Sequence, residues 1–180
     1  MNRHAGHVFW LFGLPGSGKS SLAANLIGEL RSAGRPVLPL DGDVLRAGLC
    51  RGLGFSDSDR AENLRRAAEV AKLGSNEGFC VVASFITPRA AHRDLVAGIV
   101  GRDQLSLIFV DAPLEICRQR DPKGLYAAAS AGRVADMTGV SSGFDGPNES
   151  DLVITTAEET LAESAAQLIR FARCRLAVAD

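Results

Sequence analysis

Residues 13–20 read Gly-Leu-Pro-Gly-Ser-Gly-Lys-Ser, the spacing G-x-x-x-x-G-K-[ST], and they stand directly behind the apolar run Val8-Phe9-Trp10-Leu11-Phe12. A helical pattern follows, with Leu22, Leu26 and Leu30 on one face. A buried strand, a glycine-rich turn and an amphipathic helix in that order commit the chain to a layered α/β fold. Glycines let backbone amides turn inward onto phosphate oxygens with no Cβ in the way. A helix opening at about Gly18 adds the positive end of its dipole. Gly13, Leu14, Pro15, Gly16, Ser17, Gly18, Lys19, Ser20 and Ser21 are therefore the candidate nucleotide-binding residues. Lys19 is placed to reach the β- and γ-phosphates of ATP, and the Ser20 hydroxyl to ligate Mg²⁺.

The rest of the chain continues the alternation. His7–Phe12, 36–40, 79–85, 105–111 and 152–154 read as five strands of a mostly parallel sheet, with helices between them. Helical patterns cover about Asp59–Glu77 and Arg89–Val100, Pro113 stands where a helix would begin, and Leu161, Ala165, Leu168 and Ala172 share a face of a last helix. Trp10 and Phe12 point to core. Asp121 to Pro147 is different: five glycines and few large apolar residues predict a lid over the site. A chain of 180 residues with no linker or repeat is one domain, residues 1–180. The expected architecture is a three-layer α/β/α P-loop NTPase of the nucleoside-monophosphate-kinase type.

Composition narrows the function. The net charge of −1 argues against a nucleic-acid partner. No apolar run approaches the roughly 20 residues that cross a bilayer, so no membrane is expected and the location read is cytoplasmic. Cys50, Cys80, Cys117 and Cys174 are dispersed without a CxxC pair, which predicts reduced, mostly buried thiols. His4, His7 and His92 have no carboxylate or serine partner at a recognisable spacing and read as surface or packing residues. No Asn-Lys-x-Asp sequence occurs, which disfavours a guanine-reading switch.

The second strand ends in Leu40-Asp41-Gly42-Asp43-Val44-Leu45-Arg46, and acidic groups at the carboxyl end of a parallel strand lie near the ligand crevice. Asp43 can orient an acceptor hydroxyl and take its proton, or hold Mg²⁺. Asp41 or Asp43 can equally cap the next helix. Arg46 follows one turn later; Arg60 and Asn63 share a helix face. Guanidinium forks suit phosphate or sulfate oxygens.

These segments resemble the adenylylsulfate (APS) kinase family. The likeness lies in Trp10–Ser20, Leu40–Arg46, Gly48–Ser56, Asp59–Asn63, Val110–Glu115 and Asp121-Pro122-Lys123-Gly124-Leu125-Tyr126, and it spans about Val8 to Ile154. The resemblance implies transfer of the ATP γ-phosphoryl to the 3′-hydroxyl of adenylylsulfate, with ATP and Mg²⁺ as cofactors and a homodimer as the assembly. It implies that Asp43 activates the hydroxyl, that Arg46 and Arg60 grip the phosphosulfate, and that Asn63 holds the nucleotide. Phe55 and Met137 would enclose the substrate adenine, Ile86 and Thr87 would line the acceptor pocket, and Lys123 would close with the lid. Thr87 stands where the family has a serine sometimes cast as a phosphoryl carrier. The family's Ser-Pro-Tyr-Arg is Thr87-Pro88-Arg89-Ala90 here, its second stacking phenylalanine is Met137, and a Pro-Tyr-Glu stretch is Gly143-Phe144-Asp145. These departures keep a second reading open, a related kinase for another nucleotide such as a cytidine derivative. A third, a nucleotide-binding regulator without turnover, is opposed by intact Lys19, Ser20 and Asp43.

Overall fold

The computed structural model describes residues 6–132, 138, 143–147 and 149–179. Five strands, β1 (His7–Phe12), β2 (Val37–Asp41), β3 (Cys80–Ser84), β4 (Leu105–Asp111) and β5 (Leu152–Thr155), form one sheet in the order β2-β3-β1-β4-β5. All four pairings are parallel. The helices are α1 (Lys19–Ser32), α2 (Gly42–Ala47), α3 (Asp57–Asn76), α4 (Ala90–Val100), α5 (Leu114–Arg120), α6 (Leu125–Ser130) and α7 (Leu161–Ala179).

β1 explains why the sheet needs two helical layers. Val8, Trp10 and Phe12 enter the core beneath α3 and α4, while Phe9 and Leu11 enter the core beneath α1 and α7. Both faces of a central parallel strand are covered, so its sequence is apolar throughout rather than alternating. Trp10 and Phe12 are core residues, as their alternation predicts. The three-layer α/β/α expectation holds.

The strand order reverses at β1, which has β3 on one side and β4 on the other, with all strands still parallel. Ligands of open parallel sheets collect beyond the carboxyl ends of strands at such a point, and the glycine loop leaves β1 there. Small differences from the sequence reading are local. β2 runs one residue further, through Asp41, and α3 begins two residues earlier, where the Ser56 hydroxyl accepts from the Asp59 amide. Residues 121–132 of the expected lid contain α6, with Tyr126 buried against Leu14 and Cys117.

Cys50, Cys80 and Cys117 are buried and Cys174 is exposed. His7 and His92 are buried packing residues, consistent with the sequence reading, and their polar partners lie far away in the chain, while His4 lies outside the described residues. His7 Nε2 is 2.8 Å from Ser106 Oγ, and buried His92 has Nε2 at 3.9 Å from Asp57 Oδ1. Burial lowers the pKa of both rings, that of His7 to about 4.

Candidate active site

The glycine loop is shaped by what stands behind it. Gly13 has φ 150°, and a Cβ there would lie 2.4 Å from the Val110 carbonyl oxygen. At Gly16, φ is 80° and a Cβ would lie 2.7 Å from the Cys117 carbonyl oxygen. Neither position admits a side chain, so the loop folds tightly over β4 and α5. Gly18 leads into α1 with no side-chain cap and no acidic residue in the first turn. The opening amides of a 14-residue helix are therefore left to an anion.

Lys19 is buried at the base of the loop, and its Nζ donates to the Leu14 carbonyl at 2.6 Å. Burial pulls its pKa down to about 8, a shift opposed by Cys117, Asp41 and Asp43 and reinforced by Lys123. Ser17 is buried; its amide donates to the Leu14 carbonyl, and its own carbonyl accepts from the Thr156 hydroxyl at 2.8 Å. Gly13, Leu14 and Ser17 thus support the loop, whereas Pro15, Gly16, Gly18, Lys19, Ser20 and Ser21 line a cavity of about 640 Å³.

The same cavity carries the acceptor candidates on its other wall: Asp41, Asp43, Arg46, Phe55, Arg60, Asn63 and Ile86. Asp41 caps α2, accepting from the amides of Asp43 and Val44 at 2.9 and 3.4 Å. That leaves Asp43, one residue into the helix, pointing over the cavity, where its carboxylate pairs with Lys123. Phe55 is exposed between two cations: the guanidinium carbons of Arg46 and Arg60 lie 4.5 and 5.7 Å from its ring centre. Arg46 also donates to the Gly54 carbonyl at 2.8 Å, and Arg60 Nε to the Phe55 carbonyl at 2.9 Å, so the loop and both arginines form one unit. Asn63 Oδ1 is buried without a hydrogen-bond partner. An orphaned acceptor on a cavity wall is the kind of atom a bound ligand satisfies.

Thr87 is placed differently from its neighbours. Ile86 and Pro88 line the cavity; Thr87 does not. Its hydroxyl is buried and accepts from Trp10 Nε1 at 2.9 Å. Met137 lies outside the described residues. Arg89 is absent from the cavity wall, since its guanidinium is spent on Asp145 at 3.4 Å and Asp57 at 3.7 Å.

Sequence reasoning missed several wall residues, among them Arg120, Thr156 and Glu159. Arg120 Nη1 and Nη2 donate to the Thr156 hydroxyl and carbonyl at 3.1 and 2.6 Å, which fastens the end of α5 to the loop after β5. Tyr126, quoted only as part of a resembling segment, donates its hydroxyl to the Pro15 carbonyl at 3.0 Å, and burial raises its pKa to about 12. The root of the expected lid is thereby tied to the phosphate loop.

The donor set fits a nucleotide-borne magnesium ion. Among the described residues no group of three or more His, Cys, Asp or Glu could hold a metal by itself. Mg²⁺ instead takes one or two protein oxygens and completes its shell with phosphates and water. Ser20 and Asp43 on one cavity meet that need.

Known proteins resemble this chain in sequence and in fold. The sequence model of the adenylylsulphate kinase family matches residues 5–155. The adenylyl-sulfate kinase of Shewanella amazonensis is 46% identical over 168 residues, covering 93% of this chain and 85% of that protein. That of Aeromonas hydrophila is 42% identical over 171 residues, with coverages of 95% and 87%. The Mycobacterium tuberculosis APS kinase CysC, solved in complex with AMPPNP and APS, superposes with a TM-score of 0.89 at 41% identity, over 94% of this chain and 98% of that one. With most of its length matched in sequence and structure, this chain belongs to the adenylylsulphate kinase family.

Proposed function

We propose that the protein transfers the γ-phosphoryl of ATP to the 3′-hydroxyl of adenylylsulfate, giving 3′-phosphoadenylylsulfate and ADP. One observation carries this reading. A single cavity holds the phosphate loop on one wall and the Asp43, Arg46, Phe55, Arg60 and Asn63 group on the other. Family membership and the two curated relatives named adenylyl-sulfate kinase support it.

In this mechanism the loop amides and Lys19 hold the β- and γ-phosphates, so developing negative charge meets groups already in place. Arg46 and Arg60 hold the phosphosulfate, Phe55 stacks on the adenine, and Asn63 Oδ1 accepts from the nucleotide. Asp41, fixed as the α2 cap, sets the direction of Asp43. Asp43 orients the 3′-hydroxyl and takes its proton as the new oxygen–phosphorus bond forms. The bond to the β-phosphate oxygen breaks and ADP leaves. Ser20 and Asp43 would hold Mg²⁺ with the phosphates, and the ion would neutralise charge on the transferred group. Lys123 and the described lid residues 121–132 close over the cavity and exclude water; residues 133–137 and 139–142 of the expected lid lie outside the described residues.

A homodimer and a cytoplasmic location complete the proposal, the first resting on the family resemblance alone; sedimentation velocity decides it. Among the described residues no helix is long and apolar enough to cross a membrane. A coupled assay for ADP release with Mg-ATP tests the activity. Adenylylsulfate should stimulate release well above the ATP-only rate, and no stimulation removes the reading. The family match and the adenylyl-sulfate kinase relatives do not favour the cytidine alternative; of the departures behind it, Arg89 points away from the cavity toward Asp145 and Asp57, and Met137 lies outside the described residues.

A further inference from the structure

Thr87 has φ 43°, and among the described residues it is the one non-glycine residue in the left-handed region. A β-branched residue there is a costly outlier that persists only when its surroundings impose it. Four hydrogen bonds on and around Thr87 impose it. Trp10 Nε1 donates to its hydroxyl at 2.9 Å, from the central strand below. Arg93 Nη1 donates to its carbonyl at 3.3 Å, and Arg93 Nη2 donates to the Gly146 carbonyl at 3.3 Å, on the return of the lid segment. Just before it, the Ile86 carbonyl accepts from the Gly13 amide at 3.2 Å, at the start of the phosphate loop. Trp10 is fully buried and stacks on Phe85 with ring centres 4.8 Å apart, so the indole has one fixed position from which to donate. Arg93 is itself buried, with its guanidinium 5.2 Å from the Phe12 ring centre.

We propose that Trp10 and Arg93 are positioning residues for the acceptor. They hold Thr87 in a left-handed turn, and the turn aims the Ile86 and Pro88 rim into the cavity. The Thr87 hydroxyl serves this turn as a hydrogen-bond acceptor and carries no phosphoryl group. It is turned into the protein, with the Trp10 indole as its partner. The inference rests on the acceptor reading above, since the rim it describes is the acceptor side of the cavity.

The test uses the whole chain, adenylylsulfate and Mg-ATP. Wild-type turnover of adenylylsulfate comes first; its failure would remove the activity reading, and the Trp10 emission described below then decides the brace on its own. Given turnover, T87V should raise the acceptor KM about tenfold, with the ATP KM unchanged and kcat within about threefold. T87S should bring the acceptor KM back to within about twofold of wild type. R93K, which keeps the charge and loses the fork, should raise the acceptor KM in the same direction. W10F should match T87V, and the double variant should be no worse than either single one, because the two share one interaction.

Trp10 is the only tryptophan, so its emission reads the turn directly, without depending on a variant at the buried Trp10. Adenylylsulfate should change that emission in the wild type and leave it unchanged in folded T87V. A loss of kcat in T87V of about 10³-fold at unchanged acceptor KM would overturn the proposal. So would a radiolabel from γ-labelled ATP on Thr87, or folded R93K with unchanged acceptor KM.

Discussion

The Lys123 ammonium and the Asp43 carboxylate, 80 residues apart in sequence, meet as an ion pair over the mouth of the cavity. The pair joins the lid segment to the group proposed to receive the acceptor proton. Asp43 raises the pKa of Lys123, chiefly through the hydrogen bond, so the lid cation stays charged throughout the working range. D43A should lower kcat by about 10²–10⁴. K123A should lower it less, by about 10–10², because it removes a lid cation and leaves the base. The double variant should fall short of the product of the two, since they act as one unit. A D43A enzyme with near-normal kcat would return Asp43 to a purely structural role.

Lys19 makes nucleotide binding sensitive to alkaline pH. Burial lowers its pKa to about 8, so free protein loses this proton as pH rises through that value. A bound triphosphate favours the ammonium and raises the pKa again. The complex then holds more protons than the free protein above about pH 8, and affinity must fall as pH rises there. Calorimetry in two buffers of different ionisation enthalpy should find uptake approaching about one proton at about pH 9 and little at about pH 7. Affinity that is flat across this range would contradict the buried-lysine account. K19A should abolish turnover at every pH.

Phe55 separates two roles that the arginines could share. Its ring stands between the guanidinium groups of Arg46 and Arg60 and is exposed to the cavity. Stacking of a base on an aromatic ring is worth about 1–3 kcal/mol, so F55A should raise the acceptor KM about 5–150-fold. R60A should also raise acceptor KM, with the ATP KM little changed. Competition by adenosine separates the two: F55A should weaken it and R60A should spare it. Unchanged acceptor KM in both variants would remove these residues from the pocket.

The parts legible in the sequence are those encoded by contiguous spacing. Gly13 to Ser20 announce the phosphate loop because the fold needs glycine at fixed intervals where Val110 and Cys117 crowd the backbone. Asp41 to Asn63 announce the wall proposed for the acceptor because a strand end and the next two helices follow one another directly. What stayed hidden depends on pairs far apart in the chain. Thr156 meets Ser17 across 139 residues, His7 meets Ser106 across 99, and Trp10 meets Thr87 across 77. No periodicity marks such pairs, since sheet order alone brings them together. Asp41 was ambiguous between cap and ligand for a physical reason: it caps α2 and lines the cavity at once. Six-residue α2 is too short for its helical period to be read.

His7 gives the fold an acid limit separate from the chemistry. It lies at the start of β1, at the opposite end of that strand from the phosphate loop, buried and hydrogen-bonded to Ser106. Burial, aided by Arg175 and opposed by Asp151, lowers its pKa from 6.5 to about 4. The unfolded chain therefore binds a proton here between about pH 6.5 and pH 4 that the folded chain refuses. Stability rises with pH wherever the unfolded state binds more protons, so it must fall as pH drops through this window. The loss from this one group reaches at most about 3 kcal/mol. Urea unfolding at about pH 7 and about pH 4.5 should show the midpoint shift, and H7N should flatten it by removing the titrating ring while keeping a polar side chain toward Ser106. Should H7N lose stability between the two pH values as steeply as the wild type, the acid limit belongs to the carboxylates instead.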